Sequence, residues 1–413
     1  MLGLEDASKV RIMSECRAVR TQRRATRKWL RILYIGLPLA FLFGGIILFA
    51  NGCSVLLHRR SILKSLREPQ CFGASRLEVH GNVPVLHLYG SPQEMGRQHG
   101  ALLRDALSSL DRYVHALLPE KDSKRLLAFA ERAEPHLPKA VRTELKAMAE
   151  AAGVPYLDLV AFNATPRLRC SALAVWGEAT SDGGLIMGRN ADYFSMGLAD
   201  RGGVMVVYHP KQGKAVLSVT YLGMIGAFTG VNEDGVAFGN MLVFNAADNR
   251  AREDGLPVQL AFRLAAHESA SAEAMCRRLR ERKHMIPMNA MIADKSEALV
   301  LELGHGGSHV WSGEKDSLAV SNYFRSDKLR DYRARCKRYQ ALRQAAASSH
   351  GRFGVAEMQR ALYQARMEKI NLQAVVFEPA KARLHVSMNR VPASKGPYRT
   401  FDLKALFDAR PSN

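Results

Sequence analysis

The side chains with the widest chemical reach in this chain are its cysteines, at positions 16, 53, 71, 170, 276 and 336. None belongs to a Cys-x-x-Cys pair or a cysteine–histidine cluster with metal-ligand spacing, so neither a structural zinc site nor a cofactor is expected. They are also too few for a disulfide framework in a chain of this length. Cys170 is set apart by its downstream neighbours: a β-like run, the turn Ser181-Asp182-Gly183-Gly184, a second β-like run, and then Gly188-Arg189-Asn190-Ala191-Asp192. A free thiol has a pKa of about 8.5 and becomes a strong nucleophile at neutral pH only beside a base or a cation. A single strand–turn–strand unit that carries an arginine and an aspartate after the cysteine holds groups of that kind.

The surrounding elements must position these residues. Residues 77–89 read as extended, up to the turn Gly90-Ser91-Pro92. Ser91-Pro92-Gln93-Glu94 is a helix start, with a capping serine, a proline and an acid three residues on, and apolar positions through Leu103, Ala106 and Leu110 recur at helical spacing. Amphipathic helices are expected to fill 102–152. From Ser171 the pattern changes to short β-like runs at 172–176, 185–187, 204–208, 215–220, 236–241, 290–293 and 298–303. Helices return at 258–283 and 327–346, and 374–377 and 383–388 are again strand-like. No internal repeat or low-complexity tract is present. Helices grouped around many strands predict an α+β layered domain.

The 413 residues are enough for one large domain or two ordinary ones, and 47% hydrophobic with 24% charged residues excludes both wholesale disorder and a multi-span membrane protein. The net charge of +20 is concentrated partly at the front, where Arg17, Arg20, Arg23, Arg24, Arg27, Lys28 and Arg31 precede an apolar stretch at 32–57. A bilayer span needs roughly 20 apolar residues. This is positive-inside patterning, and it predicts a basic cytoplasmic tail (1–31), a retained transmembrane anchor (32–57), a linker (58–85) and a body outside the cytoplasm, as at a bacterial inner membrane facing the periplasm. A second reading takes Leu48-Phe49-Ala50-Asn51-Gly52-Cys53 as a lipoprotein box with Cys53 lipidated. The remaining basic residues, as in Arg277-Arg278-Leu279-Arg280-Glu281-Arg282-Lys283, read as a solvated helix face. No motif for nucleic acid accompanies them.

The run from Cys170-Ser171-Ala172-Leu173-Ala174 to Gly183-Gly184-Leu185-Ile186-Met187-Gly188-Arg189-Asn190-Ala191-Asp192-Tyr193 resembles the start of the mature chain in N-terminal-nucleophile (Ntn) cysteine hydrolases. It is similar to choloylglycine and penicillin V hydrolases and to the isopenicillin N acyltransferase group, the C45 peptidases. The flanks resemble the last group: Leu88-Tyr89-Gly90-Ser91-Pro92-Gln93-Glu94-Met95-Gly96-Arg97-Gln98-His99-Gly100 upstream, and Val231-Asn232-Glu233-Asp234-Gly235, Ile292-Ala293-Asp294-Lys295-Ser296-Glu297-Ala298, Ser321-Asn322-Tyr323-Phe324 and the Arg338-Tyr339 helix downstream. The resemblance implies an αββα sandwich in which 86–169 is a helical propeptide or α-chain and 170–413 the Ntn β-chain.

It also implies an activity: self-cleavage between Arg169 and Cys170, then attack by Cys170 on the C–N bond of an acyl amide, ending in hydrolysis or acyl transfer. The two cut chains would stay associated. By the same resemblance Arg189 stabilises the thiolate, Asp192 hydrogen-bonds the α-amine, Asn322 contacts the amine or oxyanion, Asn240 or its neighbour Asn245 supplies a second oxyanion donor, and Arg338 supports the site. Arg189 and Asp192 are expected to neutralise each other, since unpaired buried charge is costly. Arg169 departs from the glycine of the fungal acyltransferase. Cys336 before the helix arginine is read as neutral, and His87 and His99 as structural. The contrasting reading is an Ntn-fold surface or binding protein that has lost turnover. Placement at a membrane points to a long-chain acyl amide as substrate.

Overall fold

Strand-forming sequence is spread along the whole chain, and the computed structural model gathers it into two sheets. The structure describes residues 57–164, 169–195 and 197–411. The chain divides into Met1–Leu57 and the unit His58–Asn413. The basic tail and nearly all of the expected anchor, with Cys53, lie outside the described residues. Among the described residues no helix is long and apolar enough to cross a membrane.

After a helical segment at 57–65, β1 (Gln70–Phe72), β2 (Ser75–His80) and β3 (Val83–Gly90) form a meander, followed by α1 (Pro92–Leu102), α2 (Arg104–Leu117), α3 (Glu120–Ala133), α4 (Lys139–Ala152) and α5 (Tyr156–Ala164). The hairpin of β4 (Arg169–Gly177) and β5 (Gly183–Asp192) comes next, then β6 (Gly203–Pro210), β7 (Val216–Tyr221), β8 (Thr229–Asn232) and β9 (Ala237–Leu242). Helices α6 (Val258–Glu268) and α7 (Ala272–Arg280) lead to β10 (Met288–Ala293), β11 (Ala298–Gly304), β12 (Gly307–Trp311) and β13 (Ser317–Val320). The chain ends with α8 (Lys337–Ser348), α9 (Val355–Gln364), β14 (Asn371–Glu378), β15 (Arg383–Met388), β16 (Arg399–Asp402) and α10 (Leu403–Phe407).

The larger sheet has ten strands in the order β1-β2-β3-β6-β7-β8-β9-β10-β11-β12, and the smaller has six, β13-β4-β5-β14-β15-β16. Only β3 with β6 is a parallel pair. Strand periodicity of two decides which residues meet between the sheets. Cys170, Ala172 and Ala174 of β4 and Leu185, Met187 and Ala191 of β5 face Met205, Val207, Val219, Met241 and Met291 of the larger sheet. Their neighbours Leu173, Val175 and Ile186 face outward, against Leu342 of α8 and Met358 and Leu362 of α9. Helices α6 and α7 contact the larger sheet at β7 to β11. The helix–sheet–sheet–helix order is the one the family resemblance implies.

The segment before the hairpin is tied in at two places. The Ser91 capping box forms as the sequence predicts, with the Glu94 amide donating to Ser91 Oγ at 3.3 Å and the Ser91 amide to Glu94 Oε2 at 2.6 Å. Helix α1 then lies so close on α4 that a Cβ at Gly96 would sit 2.1 Å from the Glu144 carbonyl oxygen. That contact brings the Glu144 carboxylate to Arg263 of α6.

Three expectations differ from the structure. Residues 58–85, read as a linker, hold a helix and two strands. The boundary drawn at 86 cuts β3, whose partner β2 lies upstream. Residues 327–336 are not helical: helix α8 begins at Lys337, and the loop before it is held instead by Asn245, which takes the Phe324 amide at 2.7 Å and donates to the Tyr332 carbonyl at 2.8 Å. Strands β8, β12, β13 and β16, of four or five residues each, were too short to show a period.

Candidate active site

Register brings the first two site residues together. Ala172 pairs with Arg189 and Cys170 with Ala191, so Cys170 and Arg189 are diagonal neighbours on the inward face, about 7 Å apart at Cβ and within reach of a long side chain. Arg189 Nη2 donates to Cys170 Sγ at 3.0 Å and to the Asn240 carbonyl at 2.8 Å, and Nη1 donates to Thr229 Oγ1. The guanidinium can lie here because β9 has no side chain at Gly239, where a Cβ would fall 2.3 Å from Arg189 Cδ. Both Cys170 and Arg189 are buried.

Cys170 is gripped at its backbone too. Its amide N–H donates to Asn322 Oδ1 at 2.8 Å, and its carbonyl accepts from Arg338 Nη1 at 2.7 Å. Arg338, on the first turn of α8, also donates from Nη2 to Asn322 Oδ1 at 2.8 Å and lies 3.4 Å from Asp192 Oδ2. Asn322 is fixed in turn by its Nδ2, which donates to the Leu242 carbonyl at 2.6 Å. Asp192 Oδ1 accepts from Asn371 Nδ2 at 2.9 Å and from the Met367 amide at 3.4 Å.

Cys170, Arg189, Asp192, Asn322 and Arg338 thus meet at one point. One expectation is corrected. Asp192 pairs with Arg338 rather than Arg189, because it ends its strand while Arg189 points between the sheets. The Asn240 side chain donates to the Ala227 carbonyl at 3.2 Å, and only its backbone oxygen touches Arg189. Asn245, the substitute for Asn240, is spent on the 324–332 loop. Arg169 is exposed, with its guanidinium 4.9 Å from the centre of the Phe244 ring. His87 meets His209 at 3.2 Å in a stacked aromatic group, and His99 is enclosed in the helical segment.

Burial and the neighbouring cations act on the thiol in opposite directions. Burial pushes the Cys170 thiol up, against the pull of Arg189. Arg189 alone therefore does not make a thiolate, and a base is required. Burial likewise raises Asp192 to about 6, with Arg338 and the Asn371 hydrogen bond pulling the other way.

Sequence reasoning missed three contributors. Thr229 and Asn371 orient Arg189 and Asp192. Tyr221, at the end of β7, packs in the same core cluster as Cys170 and has Arg189, Cys170 and Asp192 as titratable neighbours. Its hydroxyl is buried with no hydrogen-bond partner among the described residues. It also borders an apolar cavity of about 100 Å³ that extends past Tyr193 to Leu110, Val114 and Leu117 of α2 and Phe162 of α5. No motif marks any of these three residues in the sequence.

Comparison with known proteins identifies the family. The family model described as acyl-coenzyme A:6-aminopenicillanic acid acyl-transferase matches residues 179–389, just over half the chain, beginning after Cys170 and including the other site residues. Among curated proteins, Protein dcd1B of Dictyostelium discoideum is 28% identical over 181 residues, covering 37% of this chain and 36% of that protein. An uncharacterized protein of Archaeoglobus fulgidus is 27% identical over 195 residues, covering 38% and 32%. The matches therefore span about a third of the length of these curated relatives. Similar solved structures include a Caenorhabditis elegans N-acylethanolamine-hydrolyzing acid amidase ortholog, with 17% identity, TM-score 0.41 and coverage of 51% of this chain and 93% of that one. A conjugated bile acid hydrolase from Clostridium perfringens has 12% identity, TM-score 0.42 and coverage of 57% and 92%.

Proposed function

Because the chain belongs to the acyl-coenzyme A:6-aminopenicillanic acid acyl-transferase family of Ntn hydrolases, we propose that it cuts itself between Arg169 and Cys170 and then cleaves the C–N bond of an acyl amide through Cys170. The observation that carries this reading is the triple grip on one residue: thiol on Arg189, amide nitrogen on Asn322, carbonyl on Arg338.

In the first reaction the thiol adds to the Arg169 carbonyl carbon, the C–N bond breaks, and the chain passes from nitrogen to sulfur. Water then hydrolyses the thioester, freeing the Arg169 carboxylate and the thiol. The nitrogen left behind is an α-amine, with an ordinary pKa of about 7.7–8.0, and it supplies the base that the buried thiol lacks. Asn322 already accepts from that nitrogen before the cut. In turnover the amine takes the thiol proton and returns it to the leaving amine, and water or a second amine resolves the acyl-enzyme. The 100 Å³ apolar cavity beside Tyr221 supports an aliphatic acyl group as the part of the substrate held there. The basic run and apolar stretch at 17–57 support attachment of the body to a membrane, and with it a long-chain substrate.

The test is the intact mass and N-terminal sequence of purified wild type beside Cys170→Ala. Two fragments with Cys170 leading the second, and one uncut chain in the variant, are expected. A single chain in both, together with no turnover of any C2 to C16 acyl amide, would falsify the reading. Faster turnover of short polar amides than of long-chain ones would remove the long-chain assignment alone.

A further inference from the structure

The basic run that reads from sequence as a solvated helix face lines a cleft. Helix α7 presents Ala272, Met275, Cys276 and Leu279 to the core, so Arg277 and Arg280, three residues apart, stand together on its other side. Both line a cleft of about 510 Å³ whose opposite wall is the turn between β11 and β12, at Gly304, His305, Gly307 and Ser308. Basic side chains are favoured at a helix C-terminus by its dipole, and most of those here find carboxylates: Arg278 meets Glu281, Arg282 meets Glu268 and Lys283 meets Asp254. The Arg277 side chain makes no hydrogen bond or ion pair with any described residue, and that of Arg280 bonds only the neutral Ser308 Oγ, at 2.9 Å. Behind them His284, 9% exposed, lines the same cleft. Its Nε2 donates to the Leu279 carbonyl at 2.5 Å, so Nδ1 is left as a buried lone pair with no partner among the described residues.

Two unmatched guanidiniums and a buried acceptor suit one kind of ligand. The planar forks fit the charged oxygens of a phosphate, and the Nδ1 lone pair accepts the P–OH proton of a monoprotonated phosphate monoester. The cleft lies at the same end of the larger sheet as the nucleophile. Leu303 in its wall pairs with Met288, which pairs with Leu242, and the Leu242 carbonyl holds Asn322. Two strand spacings, roughly 10 Å, separate the wall from that anchor. Phe324 and Leu329, on the loop after Asn322, lie against Gly304 at the rim.

We propose that this cleft binds a phosphate monoester carried by the substrate, with Arg277 and Arg280 on its charged oxygens and His284 on its P–OH group. That the phosphate belongs to the substrate rests on the acyl-amide reading; that the cleft binds phosphate does not. The binding arm is calorimetric titration of inorganic phosphate into full-length Cys170→Ala at constant ionic strength. Saturable one-to-one binding, weakened at least about tenfold by Arg277→Ala with Arg280→Ala, is expected. A response that tracks ionic strength alone, or equal binding by the double variant, overturns the site. The substrate arm compares N-octanoyl-2-aminoethyl phosphate with N-octanoyl-2-aminoethanol on the wild type. The phosphate is expected to lower KM about tenfold, an advantage lost in the double variant while its kcat on the neutral amide stays unchanged. Phosphate binding with equal use of the two amides makes it a free-anion site and overturns the assignment to substrate. No turnover of either amide counts against the acyl-amide reading, and the binding arm then decides the site by itself.

Discussion

Arg189 and Arg263 are both buried, at 1% and 4% exposure, yet their surroundings differ in kind. Arg263 is matched in charge: it forms a two-pronged pair with Glu144, donates to the Ile225 carbonyl at 2.8 Å and lies 4.4 Å over the Tyr208 ring. Arg189 has no carboxylate at pairing distance among the described residues, only a hydroxyl, a carbonyl and the Cys170 thiol. A buried cation without a counter-ion is unfavourable for folding. Its retention beside a thiol is explained if the partner is an anion present only during reaction. The Arg263 cluster does the opposite task, joining α4, which precedes Cys170 in the sequence, to α6, which follows it. The first site holds charge in reserve, and the second ties two distant segments together.

Removing each arginine separates the two roles. Arg263→Met strands the Glu144 carboxylate, and urea unfolding of the uncut Cys170→Ala background should show a loss of about 3–5 kcal/mol. In cut wild type the same change should let the two chains separate on gel filtration, and Glu144→Leu added to it should restore much of the loss. Arg189→Met should leave stability level or slightly raised, while turnover falls roughly 10²–10³-fold. Comparable stability losses for the two arginines would collapse the distinction and make Arg189 a structural residue.

The comparison also shows what the sequence carried. Cys170, Arg189 and Asp192 stood within one hairpin, so short-range pattern and register made them legible together. Asn322 and Arg338 could be named only through a family resemblance, because they arrive from a loop and a helix start more than a hundred residues away. Asn240 was legible in part: alternation places it on β9 beside Arg189, but the anchoring of its Nδ2 on the Ala227 carbonyl has no local signal. The same holds for Glu144 and Arg263, 119 residues apart, whose pairing depends on how closely α1 lies on α4. Most longer strands were readable from apolar runs and their layering in two sheets only from the family resemblance, whereas β8, of four residues, showed no period.

Asp192 offers a smaller, signed test of the same contrast, since it too is a buried ionisable group, with Arg338 as its partner at 3.4 Å. Its folded value of about 6 lies above the ordinary 3.8. The folded chain therefore holds the proton more tightly than the unfolded one, and the stability this contributes is present below about pH 4 and lost as pH rises through about 6. The whole effect is roughly 3 kcal/mol. Buried histidines titrate across part of this window with the opposite sign, so the quantity to measure is the difference between Cys170→Ala and Cys170→Ala/Asp192→Asn. Their stability gap should change by about that amount between pH 4 and pH 7, the single variant losing ground as pH rises. A gap that stays flat means the carboxyl is already matched by Arg338, as Glu144 is by Arg263.

The smallest expected effect belongs to Tyr221, and it asks whether an unmatched group near the thiol is a cost or a tool. Its hydroxyl is buried with no partner among the described residues, and the residue shares a core cluster with Cys170 and lines the apolar cavity. An orphaned hydroxyl that serves nothing makes Tyr221→Phe neutral or favourable for stability, by up to about 1 kcal/mol, with turnover unchanged. A hydroxyl waiting for the substrate's carbonyl or amide gives the same stability result but lowers kcat/KM about tenfold, because a donor aimed at developing charge is lost. The fall should lie mainly in kcat if the bond is made in the transition state and in KM if it already forms with bound substrate. The expectation is a stable variant, slower in kcat, with chain length preference unaltered because the cavity keeps its aromatic wall.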